Sequence, residues 1–479
     1  MYIGLDLGTS GLKALLIDAD QSVMAEANAA LTNERPQDGW SEQDPASWLA
    51  ACDTVMAALG DKADLSGVKG IGLSGQMHGA TLLDASDRVL RPCILWNDTR
   101  SYREAAALDA DPQFRAITGN IVFPGFTAPK LVWVKHNEPD TFKATVKVLL
   151  PKDYLRLYLT GEFVGEMSDS AGTAWFDTAA RNWSDALLAA TDMDRSYMPR
   201  LVEGSEVSGQ LRPELAAQWG LSPSCVIAGG GGDNAASAIG VGVVKAGQAF
   251  VSLGTSGVLF AANDGYQPDA ETAVHTFCHA LPETWHQMGV ILAATDALNW
   301  YGRFVGKGAA ELTANLGSLK APTRTQFLPY LGGERTPLND AAIRGAFTGL
   351  EHATDTAAGT RAVLEGVTFA IKDCAEALAA TGTRIDRLLA VGGGSKSHYW
   401  LEAIATALGV PVDLPVAGDF GGAFGAARLG MMATTGGGAE IATAPRIQAT
   451  IDPISDLTAA YDDGFARFKT AQHALKRLT

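Results

Sequence analysis

Near its start the chain sets two apolar runs on either side of a small polar turn: YIGLDL, then GTSG, then LKALLID. Leu- and Ile-rich runs flanking a glycine turn predict strand, turn and strand. The arrangement returns as AFVSL, GTSG and VLFAA, so that LGTSG occupies 7–11 and again 253–257. Two further apolar runs enter small-residue loops, VKGIGLSGQ at 68–76 and RLLAVGGGSK at 387–396, and predict buried strands. Between them, PASWLAACDTVMAALG at 45–60 and TRAVLEGVTFAIKDCAEALAATG at 360–382 predict helices. Strands alternating with helices predict an α/β fold, and the duplicated hairpin predicts two similar halves. The glycine-rich stretch CVIAGGGGDNAASAIGVGVVKAGQ, 225–248, marks the expected boundary, with a first domain over 1–241 and a second over 242–479. Near the end, GDFGGAFGAARLG at 418–430 predicts a tightly packing Gly/Ala helix, and 456–478 an amphipathic one.

A length of 479 residues favours two domains, and 47% hydrophobic residues with no low-complexity tract describe a folded protein. A formal net charge of −16 argues against nucleic acid or an anionic membrane surface as partner. The five cysteines (Cys52, Cys93, Cys225, Cys278, Cys374) lie far apart with no CxxC pair, as reduced thiols of a cytosolic protein would. No basic leader precedes the first apolar run, and the apolar windows are short, so neither export nor a membrane span is expected, and the location expected is cytoplasmic.

Several stretches carry candidate chemistry. An LGTSG turn exposes backbone N–H groups and two hydroxyls, a cradle for phosphate oxygens, and two copies could hold two ends of one polyphosphate. The chain has no GxxxxGK[ST] loop. Asp6 stands just before the first turn, where a carboxylate can hold Mg²⁺ against phosphates, and Lys13 follows the turn. Ser252 takes the place of Asp6 in the second copy. In GGGGDNAASAIG, Asp233 enters a helix from a glycine run, as either a cap or a general base for a hydroxyl attacking phosphorus. Gln76, Met77 and His78 lie in a glycine-bounded loop after a strand, and Trp96, Asp98 and Arg100 follow in RPCILWNDTR; together they offer what a sugar needs. In HTFCH, His275, Cys278 and His279 lack a further ligand and read as a strand, not a metal site. Glu334 and Arg335 in FLPYLGGERTP either order a cleft or form an internal salt bridge. Gly393 and Gly394 could lie flat against an adenine ring.

These motifs, in this order from Met1 to about Gly430, resemble the FGGY carbohydrate kinases. The resemblance implies an α/β protein of two ribonuclease-H-like (actin-like ATPase) domains with the catalytic cleft between them. It implies ATP-dependent phosphorylation of a sugar, with Mg²⁺, and D-xylulose to D-xylulose 5-phosphate as the expected reaction. Asp233 matches the family's base, Met77 and His78 its sugar-contacting pair, and Asp6 the aspartate associated with Mg²⁺. Gln76 and Trp96 are expected beside the sugar. Thr9 and Thr255 match the phosphate-loop threonines, with Ser10, Lys13 and Gly254 beside them. Gly393, Gly394 and His398 fall in the nucleotide loop, His398 where glycerol kinases carry an asparagine. Asp6 and Asp233 are the carboxylates expected near the metal. A kinase for another ketose or polyol, or an ATPase switch on the same fold, are the alternatives. Sugar and ATP are the expected partners, and relatives are often homodimers.

Overall fold

The computed structural model describes residues 1–314, 316–416 and 421–478. Each LGTSG joins an antiparallel strand pair, Tyr2–Leu7 with Gly11–Ile17 and Gly247–Leu253 with Gly257–Asn263. Each pair nucleates one seven-stranded sheet. In the first half a third antiparallel strand, Val23–Ala30, flanks the pair on one side. On the other side run the parallel strands Gly70–Gly75 and Val226–Ala228, edged by antiparallel Val207–Gln210. The second half repeats this with Trp285–Ile291 outside the pair, then Ile385–Val391, Val412–Pro415 and antiparallel Ile447–Ile451. His275–Cys278 extends it by one strand. The repeated topology makes each half the same α/β unit.

Long insertions separate the halves' shared elements. Residues 76–206 carry helices such as Thr127–Asn137 and Pro151–Thr160 before the first sheet resumes. Helix Pro45–Gly60 falls where its sequence predicts, opened by Asp44, whose side chain accepts from Ala46 N. The helix expected over 360–382 runs Thr356–Ala380. The C-terminal helix Ser455–Leu475 buries Tyr461, Phe465 and Phe468 in the second core.

Two helices connect the halves in a crossed fashion. Asp233–Val241 leaves the first sheet, yet its Ala238 and Val241 pack among Phe250, Phe260 and Leu389 of the second half. The Gly/Ala helix, Gly422–Thr435, leaves the second sheet, yet its Ala423, Phe424 and Ala427 pack on Tyr2, Leu15 and Ile17 of the first. Gly418 to Phe420 of that predicted helix lie outside the described residues. The helices touch backbone to backbone. A Cβ on Gly425 would lie 1.7 Å from Ala236 O, and one on Gly72 would lie 1.8 Å from Ala426 O. Only glycine permits such approach.

Candidate active site

The helix Asp233–Val241 begins where the strand pair Gly231–Gly232, laid alongside Gly70–Gly75, ends. Asp233 is its first residue and Gly232 its cap, so the carboxylate is free of the capping role. Its Oδ1 accepts from Asn234 N at 2.7 Å and Asn234 Nδ2 at 2.9 Å. Burial pushes the Asp233 carboxyl up to about 6, and the negative charge of Asp6 adds to the rise. Asp6 is raised as well, by burial, although Ser74 and Lys13 pull it back. Ser74 Oγ donates to Asp6 Oδ1 at 2.8 Å across the parallel register that pairs these two residues. Gly422, first residue of the crossing helix, abuts Asp6: a Cβ there would lie 2.8 Å from Oδ2. Asp6 raises Asp233, and such a pair of carboxylates suits Mg²⁺ held with phosphate and water oxygens. Among the described residues no group of three or more His, Cys, Asp or Glu could cage a metal.

Met77 and His78 form the neighbouring wall. A Cβ on Gly232 would lie 3.0 Å from Met77 Sδ, which puts this loop against the strand that delivers Asp233. His78 Nδ1 lies 2.7 Å from Gly172 O, and the ring stacks on Phe126 at 4.7 Å. A carbonyl only accepts, so Nδ1 carries the proton and Nε2 keeps its lone pair. Burial, with the charge of Lys130, holds the imidazole down to about 3. His78 is therefore a neutral acceptor for a hydroxyl. Its backbone has φ 68°, and its carbonyl accepts from Thr127 Oγ1 at 3.1 Å and Lys130 Nζ at 2.8 Å. The neutral Nε2 is thus aimed by a pinned backbone.

The other expected residues are distributed unevenly. Gln76 is buried and bridges Thr9 Oγ1 and Gln43 Oε1, both at 3.0 Å. Through these bonds it shapes the first turn. Trp96 is half exposed, with its indole N–H on Thr9 Oγ1 at 2.9 Å. Asp98 and Arg100 are corrected outright. They are buried against each other and Glu42, with Asp98 accepting from Ser41 N and the guanidinium 3.6 Å from the Trp40 ring. Lys13 pairs with Glu26 at 3.5 Å, and Ser10 is exposed at the turn's tip.

On the second half, Gly254 O accepts from Thr295 N and Oγ1, and Thr255 O from Ala294 N, leaving the Thr255 side chain exposed. Gly393 faces open space, whereas Gly394 packs on Leu253 and Trp400. His398 lies on an exposed helix face, 3.4 Å from Glu402. A cleft of about 740 Å³ opens beside this loop, lined by Asn234, Ser237, Ser252, Gly392 and Lys396 among others, so both halves contribute to it. His275 and Cys278 lie on a strand, and His279 bonds Val243 O at 3.1 Å; their surroundings are aromatic.

One group carries a role that the motifs left unread. Lys152, Asp153, Arg156, Glu166 and Asp169 are all buried beneath the glycine run. Arg156 donates to Ala228 O at 2.6 Å and Gly229 O at 2.5 Å. Ser168 Oγ accepts from Gly232 N at 3.0 Å and donates to Glu166 Oε2 at 2.8 Å, and Lys152 holds Glu166 at 3.2 Å. This network fixes the strand on which Asp233 rides. Its trace in sequence is charge at 152, 153 and 156 inside the otherwise apolar PKDYLRLYLT.

With this geometry in hand, the relatives are consistent. Residues 1–240 match the N-terminal domain model of the FGGY family of carbohydrate kinases, and 249–434 the C-terminal one. A xylulose kinase of Escherichia coli K12 is 51% identical over 436 residues, 90% of each chain. A crystal structure described as a "xyloylose kinase" of Brucella ovis is 64% identical, with TM-score 0.98 over the whole of both chains. The xylulose kinase of Rhodospirillum rubrum superposes with TM-score 0.93 at 30% identity, over 100% of this chain and 99% of its own. Two matched domain models and a relative sharing half its residues place the chain in the FGGY family of carbohydrate kinases.

Proposed function

We propose that the protein phosphorylates D-xylulose at its 5-hydroxyl with ATP and Mg²⁺. The observation that carries the reading is the Asp233 carboxylate, raised by burial and by the charge of Asp6, at the start of a helix that lies against the loop of the neutral acceptor His78, where the two halves join. A base near 6 is ionised at neutral pH yet still takes a proton readily. Asp233 accepts the proton of the sugar hydroxyl as its oxygen bonds to the terminal phosphorus. The bond from that phosphorus to the bridging oxygen breaks, and ADP leaves. Met77 and His78 seat the ketose, His78 through its Nε2 lone pair. Asp6 would hold Mg²⁺ brought in with the nucleotide, and the ion would supply positive charge to the phosphates. Turn N–H groups at Thr9 and Thr255 would face those phosphates from opposite halves.

The name shared by the similar kinases supports xylulose over the other sugars. The test is ADP release with Mg-ATP in the presence of no sugar, D-xylulose, L-xylulose, D-ribulose, ribitol, xylitol or glycerol. D-xylulose should stimulate release most, over a low blank. Preference for another sugar would move the substrate, and equal release throughout would leave an ATPase switch.

A further inference from the structure

Residues 333–336, GERT, belong to the second half, and their bonds point one side chain out of it. Thr336 Oγ1 donates to Ala273 O and accepts from Val290 N, which moors the loop to the second sheet. Glu334 is buried, with Oε1 accepting from Leu292 N at 2.9 Å and Arg335 N at 2.8 Å. Glu334 thus turns inward, and Arg335 turns the other way, toward the first half. Its guanidinium carbon lies 4.9 Å from the ring centre of Phe123. Phe123 meets Phe126 at 5.7 Å, and Phe126 carries the stacked His78. His275 of the second half closes the group, 5.2 Å from Phe123.

Arg335 is half-buried, yet among the described residues its guanidinium has neither an ion-pair partner nor a side-chain hydrogen bond, and its one close contact is the Phe123 ring. A guanidinium has five N–H donors and no acceptor, and withdrawing it from water without an anion is costly. The adjacent Glu334 relieves it only in part, because burial pushes that carboxyl up to about 8 and so toward the neutral acid. The positive charge also reaches the sugar wall, adding to the depression of both His78 and His275. Acceptor oxygens on a ligand would match the five N–H donors of this guanidinium.

We propose that Arg335 is a specificity-determining residue that binds the sugar from the second half, its guanidinium donating hydrogen bonds to oxygens of the ketose seated against Met77 and His78. The proposal rests on the sugar-kinase reading. Arginine's planar fork takes two oxygens at once, which suits neighbouring oxygens on a polyhydroxylated chain. The sugar then bridges the halves: His78 accepts from one side and Arg335 donates from the other. Sugar binding draws the halves together before phosphoryl transfer, which keeps water from substituting for the sugar.

The test compares wild type with Arg335→Met, which keeps an apolar stem over Phe123, and Arg335→Lys, which keeps the charge without the fork. KM for D-xylulose should rise roughly 10–100-fold in the Met variant, the span of a lost charge-assisted hydrogen bond. KM for ATP should stay as in wild type, and Lys should recover part of the loss. The sugar-free Tm of Arg335→Met should equal or exceed wild type, because an unpaired charge has been removed, while the rise in Tm on adding D-xylulose should shrink. Unchanged sugar kinetics in an active enzyme would overturn the proposal. So would a loss that tracks a lowered sugar-free Tm, since that marks a structural arginine. If wild type itself shows no sugar-dependent ADP release, the kinase reading falls first, and the two failures stay distinct.

Discussion

The two LGTSG turns share every residue and differ in almost every bond. The first is held from outside. Thr9 Oγ1 is shared by Gln76 and Trp96, Gln43 Nε2 donates to Thr9 O at 2.7 Å, and Gln43 Oε1 accepts in turn from Trp48. The second is held through its backbone carbonyls by the start of helix Thr295–Val305, and its hydroxyl side chains face outward. The residue before the turn differs as well. Asp6 sits under the crossing helix with Ser74, while Ser252 opens onto the cleft. A duplicated motif therefore guarantees backbone shape, not side-chain duty. The first turn is a rigid floor with a carboxylate, and the second an adaptable one without.

The deepest break in this comparison is Asp233→Ala, since the first half alone supplies both carboxylates. It should lower kcat by roughly 10²–10⁴-fold with little change in KM for sugar. Near-normal turnover would remove Asp233 as base. Next, Asp6→Ser makes the two turns alike and should cost ~10²-fold in kcat, as loss of a metal-supporting group does. Ser252→Ala should cost no more than about tenfold, the worth of a neutral hydrogen bond. Equal losses would mean that the asymmetry is idle.

A pH profile sharpens the same point. Asp233 works ionised, so kcat/KM should fall below pH about 6, approaching tenfold per unit. In Asp6→Ser the limb should move to lower pH, because the charge that helped to raise Asp233 is gone. Stability runs with the opposite sign. A carboxyl raised on folding holds its proton better in the native state, so Asp233→Asn should raise Tm at pH 8, with the advantage shrinking as pH falls through about 6 and vanishing only below about 4. Smallest is the turn itself. Thr9→Val leaves Gln76 Oε1 buried without its donor and should destabilise by ~1–3 kcal/mol in denaturant unfolding. Thr255→Val should shift stability by less than about 0.5 kcal/mol and act on KM for ATP instead.

Both hairpins, the helix Pro45–Gly60 and the strand–loop pairs at 70–75 and 385–391 were legible because their signals are local: period, caps and glycine turns. The candidate site was legible as far as its residues cluster in short motifs, which is how Asp6, Asp233, Met77 and His78 were proposed. Asp98 and Arg100 were misread because their partners, Ser41 and Glu42, lie more than fifty positions away and bury them. Glu334 and Arg335 left two readings open, a loop that orders the cleft or an internal salt bridge, the second only because they adjoin. Adjacent residues on extended backbone point to opposite sides, so adjacency is poor evidence of contact. The charge cluster around Lys152 left only a faint trace, charge inside the otherwise apolar PKDYLRLYLT, since charge in a sequence carries no direct sign of burial.

The crossed helices carry a consequence for anyone who would cut the chain. Residues 1–240 and 249–434 are separate as sequence units, but each half borrows a helix from the other. Expressed alone, the first half would bare the apolar surface around Tyr2, Leu15 and Ile17, and the second would lose Ala238 and Val241 from its core. Neither fragment is a folding unit, whereas the two co-expressed should reassemble. The glycine contact between the helices has no interlocking side chains, so the two halves should prove inseparable in folding and yet able to pivot on that contact.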